Sequence, residues 1–232
     1  MASAASAFQT RAVKSDLLPA RKKQHFQNLF AVQAVRSYLY LSLGIGLIAV
    51  LLPVLLVVVG GYSTHDSISS FYHDKVGPTR DIMVGSLCAV GVFLFLFHGL
   101  SKKENWLLNF AGVAIIAVAL VPSPGGTDYG DALIHRGSAI VFFVLIGIVA
   151  IFLAKGRIKD IKDVRKKRWF AAAYNVAGTA MIALPVIVVL LQEFLDGRAV
   201  LLAEWAAIWS FAAYWFLKTL EYRLLLRIWW TE

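Results

Sequence analysis

Long apolar runs alternate with short polar segments along almost the whole chain. A helix needs about 20 mostly apolar residues to cross roughly 30 Å of hydrocarbon. Runs of this kind cover residues 38–60, 82–100, 106–121, 132–154, 170–191 and 200–220. They are too long and too uniform for the alternating strands of a barrel, and backbone groups in lipid must pair internally. The pattern therefore predicts an all-α, polytopic membrane bundle of six transmembrane helices.

The composition agrees with this prediction and excludes other classes of protein. Of the 232 residues, 59% are apolar and only 16% are charged, which argues against a soluble enzyme or a disordered chain. The single cysteine, Cys88, cannot form an internal disulfide. Gly85 with Ala89, and Ala173 with Ala177, are spaced as in closely packed membrane helices.

The basic residues predict the orientation of the bundle. If the N-terminus is cytoplasmic, only Lys75, Arg80, Arg136 and Arg198 fall on the outer side, which leaves 19 of the 23 lysines and arginines inside. The positive-inside rule then predicts that both termini are cytoplasmic. The expected location is a bacterial inner membrane. Anionic lipid of the inner leaflet would favour the basic segments by ~1 kcal/mol per side chain. Because topology explains the net charge of +9, no nucleic-acid partner is expected.

The chain divides into three predicted regions. Residues 1–36 form a basic cytoplasmic arm, in which Phe26 and Phe30 lie beside a basic cluster and predict a helix on the membrane interface. Residues 37–222 form the six-span domain, and residues 223–232 form a cytoplasmic tail.

Ionisable side chains collect on the side that is poor in lysine and arginine. Hydropathy places His73, Asp81, His135 and Glu204 at or just inside the ends of spans there, and Ser69 precedes His73 by one helical turn. Ionisable groups at this depth are costly unless they face the bundle interior, a partner or water. We therefore treat them as candidate site residues.

Two imidazoles and a carboxylate could hold zinc and activate a bound water, whose pKa falls to ~7 in such sites. His73, His135 and Asp81 are the candidate metal ligands. Asp81 or Glu204 could instead be the general base, with Ser69 as a further catalytic candidate.

Each candidate also has a structural interpretation. Asp81 could stabilise the start of a helix through its dipole, and His135 could extend its polar tip to the lipid headgroups. Glu204 could pair with Arg198 or Arg136.

Lys218 and Glu221 lie near the other end of the spans. We expect Lys218 to reach the interface with its ammonium and to pair with Glu221, three residues further along the helix. Few polar residues lie between the two membrane faces, which disfavours a channel or pump.

Four short stretches together resemble bacterial multi-pass membrane proteins of the DUF998-like kind, a resemblance that implies no specific activity. They are residues 69–73, 80–81, 104–107 and 133–135.

A serine four residues before a histidine, followed by an aspartate at the next span, is also similar to the CREST superfamily of membrane hydrolases. That resemblance implies zinc held by histidines, with Ser69, His73 and Asp81 in the matching positions. The family's late HxxxH pair has no counterpart here, since the last span offers Glu204 and no histidine.

Three functions remain open at this point. The first is hydrolysis of a lipid or amide by water activated at His73 and His135, with zinc as the expected cofactor. The second is a non-enzymatic membrane subunit that binds a partner, a lipid or a small solute. The third is a transporter or channel, which would need to oligomerise.

Overall fold

The computed structural model describes residues 20–61, 65–73, 77–99, 101–121, 129–191, 193–194 and 196–226. All regular secondary structure in these ranges is helical. Residues 1–40 and 41–232 form two units by their internal contacts. The larger unit holds the site described below.

Six long helices follow one another along the chain, each apolar and long enough to cross a membrane. The prediction of six membrane-spanning helices in an all-α fold is confirmed. The helices are α1 (Ala20–Gly60), α2 (Thr79–Leu96), α3 (Lys102–Leu120), α4 (Tyr129–Ile148), α5 (Val164–Leu191) and α6 (Gly197–Leu226).

The chain leaves α2 and α4 differently from what hydropathy predicts. Helix α2 ends at Leu96, four residues early, because Phe97 adopts extended backbone with φ −80° and ψ 119°. The Gly99 N–H then donates to Asn105 Oδ1 at 2.5 Å, which fixes the turn into α3. After α4 the chain stays helical in a π-helical turn (Val149–Leu153) and in a 3-10 helix (Ala154–Asp160), which passes the predicted end of the span at residue 154.

The predicted terminal regions are only partly described. Residues 20–40 are helical, whereas residues 1–19 of the predicted arm lie outside the described residues. Residues 227–232 of the predicted tail also lie outside them.

Two pairs of antiparallel helices cross at facing glycines. A Cβ added to Gly91 of α2 would lie 3.0 Å from the carbonyl oxygen of Gly112 in α3, and one added to Gly112 would lie 2.9 Å from that of Gly91. Gly147 of α4 and Gly178 of α5 repeat this arrangement, at 2.9 and 3.0 Å. Glycine lets the backbones approach this closely. Gly85, by contrast, faces open space.

A short 3-10 helix, Ser69–His73, closes one end of the larger unit. Its Phe71 and Tyr72 are buried together with Ile68, and they pack against Leu52 of α1 and Leu201 of α6. Apolar burial of roughly 1.5 to 3 kcal/mol per large side chain therefore holds this loop onto the helix ends. The loop in turn positions Ser69.

Candidate functional site

A cavity of about 580 Å³ lies in the half of the bundle next to the 3-10 helix. All six long helices contribute to its wall, which is mostly aliphatic and phenylalanine side chains. The polar residues of the wall come from the segment before and within the 3-10 helix and from the N-terminal parts of α4 and α6. They are Asp66, Ser67, Ser69, His135, Arg136 and Glu204.

Ser69 and His135 meet at the polar end of the cavity. His135 is only 2% exposed, and its Nε2 lies 3.2 Å from Ser69 Oγ. Its other ring nitrogen, Nδ1, lies 2.9 Å from the carbonyl oxygen of Val121. Because a carbonyl can only accept, Nδ1 carries a proton, and in the neutral ring Nε2 accepts from the Ser69 hydroxyl.

The position of the Val121 carbonyl follows from the end of α3. Val121 is the residue after the last helical position and has extended backbone, with φ −91° and ψ 128°. The last carbonyls of a helix have no partner inside the helix. His135 satisfies one of them, and this bond fixes the orientation of its ring.

Glu204 holds the segment that carries Ser69. Its Oε2 accepts from the backbone N–H of Ile68 at 2.6 Å, and the carboxyl group also interacts with the N–H of Ser69. A carboxylate bonded to two consecutive N–H groups at the start of a helical turn is a favourable charge-assisted arrangement. Glu204 therefore fixes the 3-10 helix onto α6 through hydrogen bonds to its backbone.

His73 and Asp81 are not part of this group. Both side chains are exposed, His73 at the end of the 3-10 helix and Asp81 in the first turn of α2. The location of Asp81 agrees with its structural interpretation as an acid near a helix start. His135, in contrast, is buried and bonded within the protein, so the headgroup interpretation does not describe it.

The described residues contain no group of three or more His, Cys, Asp or Glu side chains that could hold a metal ion. The structure thus supplies no ligand set for zinc from His73, His135 and Asp81 in these ranges. Ser69, His135 and Glu204 are the predicted site residues that it brings together.

A second polar group lies at the opposite end of the larger unit. Lys218 is fully buried, with its Nζ 3.8 Å from Glu104 Oε1 and 3.9 Å from Glu221 Oε2. Tyr174 donates its hydroxyl to Glu221 Oε2 at 2.5 Å. The predicted pairing of Lys218 with Glu221 is present, but the predicted reach to the interface is wrong because Lys218 lies inside the bundle.

Sequence reasoning missed Glu104 as the second partner. Its spacing from Ser101 matches a capping box, and the Glu104 N–H does donate to Ser101 Oγ at 3.1 Å. The side chain, however, turns inward and is 1% exposed. The available signal was an acid at the start of one span and a lysine near the end of another, on the same predicted side of the membrane.

In comparisons with known proteins, no family model, no curated protein and no solved structure matches this chain. The DUF998-like and CREST resemblances therefore stay predictions. The function of the site must therefore be inferred from its geometry.

Proposed function

We propose that this chain is a multi-pass protein of the bacterial inner membrane whose cavity binds an amphipathic, lipid-like molecule. The cavity carries this proposal. Its volume of about 580 Å³ lies within the range of small-molecule sites, roughly 300 to 1,000 Å³. Its wall is apolar along most of its surface, with the polar residues gathered at one end.

The distribution of polar groups selects an amphipathic ligand. A wholly polar solute would lose its hydrogen bonds to water against the aliphatic and aromatic wall, at a cost of several kcal/mol. A wholly apolar solute would leave Ser69, His135 and Glu204 facing hydrocarbon. A molecule with an apolar body and a polar head matches both parts of the cavity.

The positive-inside rule supports an orientation for the site. The polar end of the cavity lies on the side that is poor in lysine and arginine, and this rule puts that side outside the cytoplasm. Both termini are then cytoplasmic, and the ligand would enter from the outer leaflet or the outer solution.

The test compares two neighbouring alanines of α6. Ala207 is buried and lines the cavity, whereas Ala206 is exposed on the same helix. The probe is an NBD-labelled monoacylglycerol, titrated into protein in detergent and followed by fluorescence. We expect Ala207→Phe, which fills cavity space, to weaken binding at least about tenfold, or ~1.4 kcal/mol.

Ala206→Phe adds the same ring on the exposed face and should leave binding unchanged. Native mass spectrometry of both variants would report whether lipid from the cell co-purifies. Equal affinity in both variants, or no saturable binding in the wild type, would contradict the proposed site.

A further inference from the structure

We propose that Ser69 is a nucleophile activated by His135, and that the chain hydrolyses a carboxylic ester of the amphipathic molecule in its cavity. This inference rests on the proposed binding function, because the apolar wall must hold the acyl chain. It differs from the zinc hypothesis in that the attacking oxygen belongs to the protein.

The geometry matches the general pattern of an activated nucleophile. That pattern requires a hydroxyl within hydrogen-bond reach of a base and a third group that orients the base. Ser69 Oγ lies 3.2 Å from His135 Nε2, and the Val121 carbonyl oxygen lies 2.9 Å from His135 Nδ1. The bond to Val121 leaves the lone pair of Nε2 directed at the Ser69 hydroxyl.

The end of α3 also offsets part of the cost of forming the charged ring of His135 inside the bundle. Cations are stabilised near a helix C-terminus by about 0.3 to 1 kcal/mol, and by more when partly buried. His135 bonds to Val121, directly after the last residue of α3. The imidazolium formed during attack is therefore stabilised by the helix whose carbonyl orients it.

The first step forms a bond between Ser69 Oγ and the carbonyl carbon of the ester, while the Ser69 proton moves to His135 Nε2. The bond from that carbon to the ester oxygen then breaks, and His135 gives the proton to the leaving alcohol. Water attacks the resulting acyl-Ser69, again with proton transfer to His135. Release of the carboxylic acid returns the proton to Ser69 Oγ.

Glu204 and Arg136 have separate parts in this scheme. Glu204 engages the N–H groups of Ile68 and Ser69, so these groups hold the 3-10 helix and do not serve the oxyanion. Glu204 is thus a positioning residue for Ser69. Arg136 is the only lysine or arginine among the described residues of the cavity wall, and it places a positive charge at the polar end.

The first experiment treats the detergent-purified full chain with an alkyl fluorophosphonate carrying a fluorescent tag, and maps the adduct by mass spectrometry. We expect the adduct on Ser69 and its loss in Ser69→Ala and Ser69→Cys. Ser70→Ala is the matched control, because Ser70 Oγ donates to the Ser67 carbonyl and is not on the cavity wall. Its labelling should equal that of the wild type.

The second experiment measures hydrolysis of a p-nitrophenyl acyl ester. We expect Ser69→Ala and His135→Gln to lower kcat by at least about 100-fold, the size of a lost general base. EDTA and His73→Gln should leave the rate within about twofold. Loss of activity on either treatment would support the zinc hypothesis and overturn this one.

Titration of the NBD-labelled monoacylglycerol separates the two proposals. Retained binding by Ser69→Ala shows that this variant is folded and that its loss of labelling is chemical. Wild-type protein that binds the probe but forms no adduct and hydrolyses no ester would overturn the nucleophile and leave the binding function standing. Absence of binding as well would remove both.

Discussion

Replacing Lys218 by methionine should strongly destabilise the protein. The substitution keeps most of the apolar stem but removes the ammonium that lies between Glu104 and Glu221. Both carboxylates are 1% exposed, so water cannot replace the lost charge without opening the bundle. Two like charges would then be buried at one end of the protein.

The distances give the size of the effect. At an effective dielectric constant of about 20, unit charges 3.8 Å apart attract by roughly 4 kcal/mol, and the second contact at 3.9 Å is similar. Desolvation of the ammonium and repulsion between the carboxylates offset part of this sum. Breaking a buried pair by removing one partner costs about 3 to 5 kcal/mol, and we expect a loss in that range for Lys218→Met.

The free energy of unfolding is measured by titrating SDS into mixed micelles and following tryptophan fluorescence. Lys166→Met, at an exposed position in the first turn of α5, is the control and should change stability by less than about 1 kcal/mol. A triple variant with Lys218→Met and both carboxylates changed to glutamine should recover most of the loss. If Lys218→Met unfolds like the control, the charges are not buried as described.

Three further predictions concern packing, capping and topology. Gly91→Ala should destabilise the protein by about 1 to 3 kcal/mol, because the added Cβ would lie 3.0 Å from the carbonyl oxygen of Gly112. Gly85→Ala adds its Cβ in open space and should be neutral or stabilising. SDS unfolding measures both variants. Ser101→Ala should cost about 1 kcal/mol in the same assay, since Ser101 caps α3. In a variant without the native cysteine, maleimide added outside spheroplasts should label Asp66→Cys but not Lys103→Cys. Labelling of Lys103→Cys alone would show that the predicted orientation is inverted.

Hydropathy predicted the six helices because the membrane imposes strict conditions on length and on backbone pairing. It could not predict where α2 ends, since Phe97 lies in an apolar run and hydropathy does not report hydrogen bonds such as that from Gly99 to Asn105. The close helix crossing at Gly91 was also missed. The candidate at Gly85 had the right spacing but faces away from the neighbouring helices.

For the site, the sequence predicted at which end of the bundle the candidates lie, but not which way each side chain points. Ser69, His135 and Glu204 lie at the same end of the bundle, yet which of the candidates meet depends on how each helix is rotated about its axis. Ser69 and His135 are 66 positions apart, and Glu204 lies 136 positions from the Ile68 N–H that it binds. No short sequence motif can indicate contacts between positions so far apart. Asp81 was an equally good candidate from its position in the sequence, but its side chain is exposed.

Helix α6 carries Glu204 of the cavity site and Lys218 of the second polar group, and the residues between these two bear on function. Glu204 and Lys218 are separated by about 21 Å along the helix, from 1.5 Å per residue. Phe211 forms part of the cavity wall between them, and it contacts the buried Trp215, which packs edge-on against Phe97. Phe211 and Trp215 thus lie between Glu204 and Lys218 along α6. Aromatic packing and a buried ion pair at this end of the bundle suit the proposed binding and hydrolysis better than transport across the membrane.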